Sequence, residues 1–322
     1  MRHVRLGKTD MQVSTIAFGT WAFGGEWGEF DEGEARDTIH HALDVGITLF
    51  DTAQAYGFGV AERVLADALR PHARRGEVLI ATKGGLRMDG DNLVRDASPA
   101  WLRQGVESSL RNLGVDAIDL YQIHWPDLHT PPEETAAALE EFVRDGKVRH
   151  VGVSNYDVKQ MEELATRGRV ETEQPPYHMF RRDIEDEILP YTKEHDIGVL
   201  VYGPLAHGLL SGRMSTGTKF ASDDWRSKSS DFTGETLRRN LEVVERLRAF
   251  GADQGMSLPT LAVAWAISHP AVHVAIVGAQ KPAELTDTVA GAKVDLTGRA
   301  RDEIDRILSD AVPVHGPSPE GM

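Results

Sequence analysis

Eight short apolar runs, each followed by a longer amphipathic segment, constrain this chain more than any other feature. The runs span 15–18, 47–50, 78–81, 118–123, 148–153, 170–174, 199–202 and 272–277. Runs of this length suit strands buried on both faces. Between them the helical period predicts helices at about 33–45, 60–70, 99–112, 133–144, 157–166, 184–195 and 235–267, and after the last run at about 282–291 and 298–311. The span 235–267 reads as two helices broken at Ser257-Leu258-Pro259, a cap residue followed by a proline that only a first turn accepts. Eight strands alternating with helices predict an α/β fold, a closed parallel (β/α)8 TIM barrel in a single domain over residues 1–322. Apolar residues at 4–6 and 11–13 around Gly7-Lys8-Thr9-Asp10 add an N-terminal β-hairpin. An open doubly wound sheet would carry G-x-G-x-x-G after an early strand. Gly57-Phe58-Gly59 lacks the third glycine, and Gly24-Gly25 does not fit the pattern. The polar stretch 205–233 follows the seventh run and is expected to overhang the catalytic end of the barrel.

Composition narrows the functional classes. A net charge of -15 argues against a nucleic-acid partner or an anionic membrane. There is no cysteine, which removes disulfides, thiolate metal sites and cysteine nucleophiles. Residues 1–10 hold no apolar core of a signal peptide, and no run reaches membrane-spanning length. A cytoplasmic location is the expectation, and the oligomeric state is left open.

In a TIM barrel the C-terminal ends of the strands converge on the active site. Polar residues recur there: Asp51 after the second run, Lys83 after the third, His124 after the fourth and Asn155 after the fifth, with Gln174 and Tyr202 ending the sixth and seventh. Tyr56 sits on the loop after Asp51. A buried lysine ammonium beside a tyrosine hydroxyl favours the phenolate, and an aspartate holds that ammonium charged. Tyr56 then suits proton delivery near neutral pH, and His124 suits a hydrogen bond to an oxygen on which charge develops. Such a set protonates a carbonyl oxygen when something else supplies hydride. The bland reading of each residue alone is a cap or a structural ion pair. His124-Trp125-Pro126-Asp127-Leu128-His129 holds metal-ligand types, but on an irregular loop with no further ligand fixed by a motif; no metal is expected. Trp27, Trp125 and Trp225 fall on loops at the same barrel end, and His40-His41 reads as a solvated helix face.

Five stretches carry a family resemblance: Phe50-Asp51-Thr-Ala-x-x-Tyr56-Gly, Ile80-Ala-Thr-Lys83, Asp119-Leu-Tyr-Gln-Ile-His124-Trp-Pro, Gly146-Lys-Val-Arg-x-Val-Gly-Val-Ser154-Asn155 and Val277-Gly278-Ala. In this order and spacing, from Leu6 to about Ala292, the chain resembles the aldo-keto reductase superfamily. Within it the chain resembles the bacterial branch that is also similar to potassium-channel β subunits. The resemblance implies NAD(P)H lying extended over the C-terminal face of the barrel, with Asp51, Tyr56, Lys83 and His124 as the catalytic tetrad. It implies Ser154, Asn155 and Gln174 at the nicotinamide amide, Tyr202 stacked on the ring, and Gly19, Thr20 and Trp21 under the cofactor. The loop carrying Pro204, Leu205, Gly208, Leu210, Gly212 and Arg213 would clasp the pyrophosphate. Gly278, Gln280, Lys281, Glu284, Asp287 and Thr288 would form the adenosine pocket. Trp21, Tyr56, His124 and Trp125 would face the substrate.

The chain departs from the family pattern at a few places. Val277 stands where proline is common and Ala61 where serine is. Gln280 replaces a frequent arginine, which removes one phosphate partner, while Lys281 next to it keeps a cation. Asp287 and Thr288 stand where Glu and Asn are usual. The expected activity is NADPH-dependent reduction of aldehydes or ketones to alcohols, with NADH as the alternative cofactor and a small carbonyl compound as substrate. The second functional class is a nucleotide-sensing regulatory subunit with slow turnover.

Overall fold

The computed structural model describes residues 1–25, 28, 30–70, 78–221 and 224–321. Eight parallel strands close into a barrel: β3 (Ile16–Gly19), β4 (Leu49–Asp51), β5 (Leu79–Gly84), β8 (Ile118–Ile123), β9 (Val148–Ser154), β10 (Thr172–Gln174), β11 (Gly198–Tyr202) and β12 (Val274–Gly278). Adjacent strands pair in chain order, and the ring shuts where β12 lies beside β3, with Ala275 opposite Ile16. All eight expected strands are present. The main shift is in β5, which runs on through Thr82 and Lys83, where the apolar run had ended. Both polar side chains stay buried because each has a partner. The Thr82 hydroxyl donates to Glu62 at 2.8 Å, and the Lys83 ammonium donates to Asp51 at 2.6 Å.

Alternation along the strands sorts two cores. Ala17, Leu49, Ala81, Leu120, Leu200, Val274 and Ile276 fill the barrel interior. Ile16, Phe18, Phe50, Ile80, Val199, Val201, Ala275 and Val277 face the helices. The interior is plugged from below by Leu6, Met11 and Val13 of the hairpin formed by β1 (His3–Arg5) and β2 (Gln12–Ser14). Gly7 in its turn has φ +52°, and a Cβ there would come within 2.2 Å of the Gly198 backbone nitrogen. Only glycine lets the hairpin sit this close to β11.

The helices α1 (Glu32–Asp44), α2 (Val60–Leu69), α3 (Pro99–Leu113), α4 (Pro132–Arg144), α5 (Val158–Ala165), α6 (Ile188–Glu194), α7 (Gly234–Asp253), α8 (Leu258–Ile267), α9 (Pro282–Ala290) and α10 (Gly298–Leu308) lie around the barrel. The expected break between α7 and α8 is present, with the Ser257 side chain accepting from the Thr260 amide. Two strands were not anticipated: β6 (Leu86–Asp89) and β7 (Asn92–Arg95) pair as a hairpin between β5 and α3. The stretch after β11 contains short 3-10 turns at Ala206–Ser211, Trp225–Lys228 and Ser230–Phe232. No helix among the described residues is long and apolar enough to cross a membrane.

At the bottom of the barrel His150 of β9 links the hairpin to β10, with Nδ1 3.0 Å from Glu171 and Nε2 2.8 Å from Asp10. The hydrogen bond to Glu171, helped by Asp10 and opposed by burial, raises the His150 pKa above 6.5. Glu171 is held below 4.5: burial opposes the shift, but His150 and the Val151 amide outweigh it. The histidine's share of stability is complete below its unfolded pKa and is lost as pH rises through the raised folded value. The carboxylate's share is present above its unfolded pKa and is lost on acidification. Together they stabilise most between about 4.5 and 6.5. Urea unfolding of His150→Gln against the parent chain should show a deficit of about 1–3 kcal/mol near pH 6. That deficit should shrink by about pH 9; a gap of constant size would rule out a charged His150 as its cause.

Candidate active site

A cleft of about 690 Å³ opens at the C-terminal ends of the strands. At its centre Lys83 and Asp51 form a buried ion pair, with side-chain exposures of 1% and 4%. Lys83 Nζ also donates to the Thr52 carbonyl at 2.9 Å. The second Asp51 oxygen accepts from Gln174 Nε2 at 2.9 Å, so both carboxylate oxygens are used. Burial pushes the Lys83 pKa below its ordinary 10.5, and the Asp51 charge and hydrogen bond pull against that shift. Removing Asp51 would leave an uncompensated ammonium in the core.

Tyr56 begins a one-turn 3-10 segment, Tyr56–Gly59, in which Gly57 and Phe58 take left-handed backbone angles. Its ring is stacked on Trp21 with centroids 6.2 Å apart and meets His124 edge-on at 5.6 Å. Lys83 Nζ lies 5.2 Å from the centroid of the same ring. His124 follows β8 directly, and its amide donates to the Gly84 carbonyl at 2.9 Å. Burial, with the Lys83 charge behind it, lowers the imidazole pKa well below 6.5. The ring is therefore neutral at working pH. Its buried Nδ1 has no hydrogen-bond partner among the described residues.

Asn155 stands in the left-handed region at φ +63°, a conformation asparagine tolerates better than most residues. Its side chain donates to the His124 carbonyl and to Ser154 Oγ, each at 3.0 Å, and accepts from the Tyr202 hydroxyl at 2.8 Å. Burial raises the Tyr202 pKa, so that hydroxyl stays protonated. Behind this turn the fully buried Glu173 accepts from the Tyr156 amide at 3.2 Å. Burial pushes its carboxyl well above the ordinary range, against the pull of the surrounding backbone amides.

Of the residues singled out in the sequence, Gly19, Trp21, Asp51, Tyr56, His124, Trp125, Ser154, Asn155, Gln174, Tyr202, Pro204, Leu205, Gly208, Arg213, Gly278, Gln280 and Glu284 line the cleft. Lys83 stands behind Asp51, fully buried. Thr20 and Leu210 are buried away from the opening, and Gly212 ends the Ala206–Ser211 turn. At the far end Lys281 pairs with Glu34 at 3.4 Å, and Arg213 pairs with Glu284. Asp287 is exposed, and its carbonyl accepts from Thr260 Oγ1. Thr288 is buried, with its hydroxyl turned back onto the Leu285 carbonyl at 3.0 Å. Trp225 packs edge-on against His207 and Phe232, beneath the loop; Trp27 is outside the described residues. Asp127 accepts from the amides of Ala97 and His129 and from the Thr130 hydroxyl, as a loop cap does.

Other lining residues are not among those singled out in the sequence: Met88 and Leu93 from the unanticipated hairpin, His207 from the loop after β11, and Gly316 and Pro317 near the C-terminus. His207 is buried and pushed down to about 3, so it too is neutral.

The cleft runs from Trp125 to Glu284, and the glycines at 19, 203, 208 and 278 let a ligand approach the backbone. A Cβ added at Gly278 would meet only the Gly19 carbonyl, 3.7 Å away. His124 and the Ser154–Asn155 pair line the same space. These features suit a nicotinamide cofactor.

The sequence profile of the aldo/keto reductase family matches residues 15–309. The chain is 38% identical to an aldo-keto reductase of Bacillus subtilis (YhdN), over 97% of this chain and 95% of that one. It is 33% identical to the NADH-specific methylglyoxal reductase of Escherichia coli, over 92% and 95%. The solved glycerol dehydrogenase of Gluconobacter oxydans superposes with a TM-score of 0.89 at 38% identity, covering 98% of each chain. The chain belongs to the aldo/keto reductase family and is an NAD(P)H-dependent oxidoreductase acting on carbonyl groups.

Proposed function

We propose that the cleft reduces aldehydes and ketones to alcohols, with Tyr56 as the proton donor. A reduced nicotinamide, when bound, supplies hydride to the carbonyl carbon. The single observation that carries the reading is the Lys83 ammonium, buried, paired with Asp51 and 5.2 Å from the Tyr56 ring centroid. A cation there stabilises the phenolate that remains once the tyrosine proton has moved to the carbonyl oxygen. Asp51 and the Thr52 carbonyl keep that cation in place. His124, being neutral, can donate one N–H to the same oxygen without adding charge. Ser154, Asn155 and Gln174 would orient the carboxamide, and Tyr202 would stack on the ring. The Pro204–Arg213 loop would cover the pyrophosphate, and 278–288 would take the adenosine. The whole chain would act as one barrel domain. Steady-state turnover with a panel of aldehydes tests the reading; a purified protein that binds the cofactor and reduces none of them would overturn it.

The adenosine end bears on which cofactor is used. Gln280 is neutral, Lys281 is shared with Glu34, and Arg213 is shared with Glu284. Exposed pairs of this kind are worth about 0–1 kcal/mol. A 2′-phosphate can therefore displace Glu34 from Lys281, but it gains little beyond that exchange. We accordingly propose that NADPH and NADH both serve, with dissociation constants within about tenfold of each other. Glu34→Gln frees Lys281 and should move the balance up to about fivefold toward NADPH while leaving NADH binding unchanged. Titration by tryptophan fluorescence measures both constants. A preference for NADPH above about 100-fold in the parent chain would sink the argument.

A further inference from the structure

Arg95, the last residue of β7, joins its own hairpin to two other chain segments. Its Nε and Nη2 donate to the two carboxylate oxygens of Glu320 at 2.7 and 3.1 Å, a bidentate pair with the Pro319–Gly321 turn. Its Nη1 donates to the Pro126 carbonyl at 3.3 Å. The guanidinium carbon lies 4.9 Å from the centroid of the Trp125 ring. Each of these segments also lines the cleft: Met88 and Leu93 from the hairpin, Trp125 after β8, and Gly316 and Pro317 just before the turn. The approach to that turn is tethered upstream. The Val314 amide donates to the Phe180 carbonyl at 3.0 Å, and the His315 amide to Asp231 at 2.8 Å. Gly316 lies so close to His207 that a Cβ there would come within 2.9 Å of the ring.

We propose that Arg95 is a specificity-determining positioning residue: it clasps the C-terminal turn to the β6–β7 hairpin and the Trp125 loop, and so limits the room for the substituent on the carbonyl carbon. Arg95 itself touches no reacting atom in this scheme. The bidentate geometry and the stacked ring make the contact specific. Glu320 is 54% exposed on its side chain, so the clasp is weak enough to open and is screened by salt. The proposal rests on the carbonyl-reductase reading above for its substrate, while the clasp itself can be tested without turnover.

Hydrogen exchange in the absence of any ligand is the first test. Arg95→Met and Glu320→Gln should each speed exchange of residues 316–321 by about fivefold, with the double variant no faster than either single one. Unchanged exchange in both single variants overturns the proposal. If Arg95→Met fails to fold, Glu320→Gln alone decides. The second test compares kcat/KM for propanal and for a naphthaldehyde. Either variant should shift the ratio about fivefold toward the bulky aldehyde, and 1 M salt should do the same to the parent chain but not to Arg95→Met. Cofactor affinity should not move. Equal losses on both aldehydes would mean a merely structural role and overturn the proposal. A parent chain that turns over neither aldehyde would count against the reductase reading instead, and exchange would still judge the clasp.

Discussion

Tyr56→Phe should lower kcat for aldehyde reduction by about 10²–10⁴-fold, the usual worth of a positioned proton donor. The substitution removes one oxygen and keeps the ring, so the stacking on Trp21 and the edge contact with His124 remain. Binding of NADPH and NADH should therefore stay within about twofold of the parent chain, because less than 0.5 kcal/mol is at stake there. The informative comparison is kcat against cofactor Kd, measured on one preparation. A parallel loss of both would mean that the cleft had collapsed. A Tyr56→Phe variant with the parent turnover would take the acid role away from Tyr56 and leave the neutral His124 as the remaining donor.

The second large effect is on stability. Asp51→Asn keeps the shape of the side chain but removes the charge opposite a lysine that is 1% exposed. Breaking one member of a buried pair costs about 3–5 kcal/mol, and for a chain of 322 residues that corresponds to a fall in Tm of about 4–7 °C. The double variant Asp51→Asn/Lys83→Met should regain most of that loss, since replacing a buried pair with apolar groups is often close to neutral. It should nevertheless remain inactive, because the cation beside Tyr56 has gone. Calorimetry together with turnover separates these outcomes. A single variant as stable as the parent would show that Lys83 sheds its proton without strain.

Why much of this was legible in the sequence is a matter of burial. Strands of a parallel barrel are covered on both faces, so they appear as apolar runs, and their ends mark one face of the molecule. Asp51, His124, Asn155, Gln174 and Tyr202 could be picked out because each ends or follows such a run. Lys83 was assigned to the same level, although it lies inside β5; its polarity looked like the end of the strand because its partner, Asp51, is 32 residues away. The β6–β7 hairpin did leave a sign, Gly90-Asp91, the two residues between the paired Asp89 and Asn92, with Gly90 at φ +62°, a pair that favours tight turns. Mixed polarity on either side masks it in the sequence. Glu34 beside Lys281 and Glu320 beside Arg95 left no sign. Such pairs join residues more than two hundred positions apart, through side chains that any solvated surface would also carry.

The pairing of β12 with β3 has a consequence for how the protein is made. Ala275 and Ile16 meet across the seam, so a chain leaving the ribosome cannot close its barrel until nearly the whole sequence has emerged. Until then β3 and β11 present bare hydrogen-bonding edges, the kind of surface on which chains aggregate. Contacts so distant in sequence also slow folding. Yield in a cell should therefore depend on how long those two edges stay open, and on chaperones that hold the incomplete ring, more than on the stability of the finished barrel.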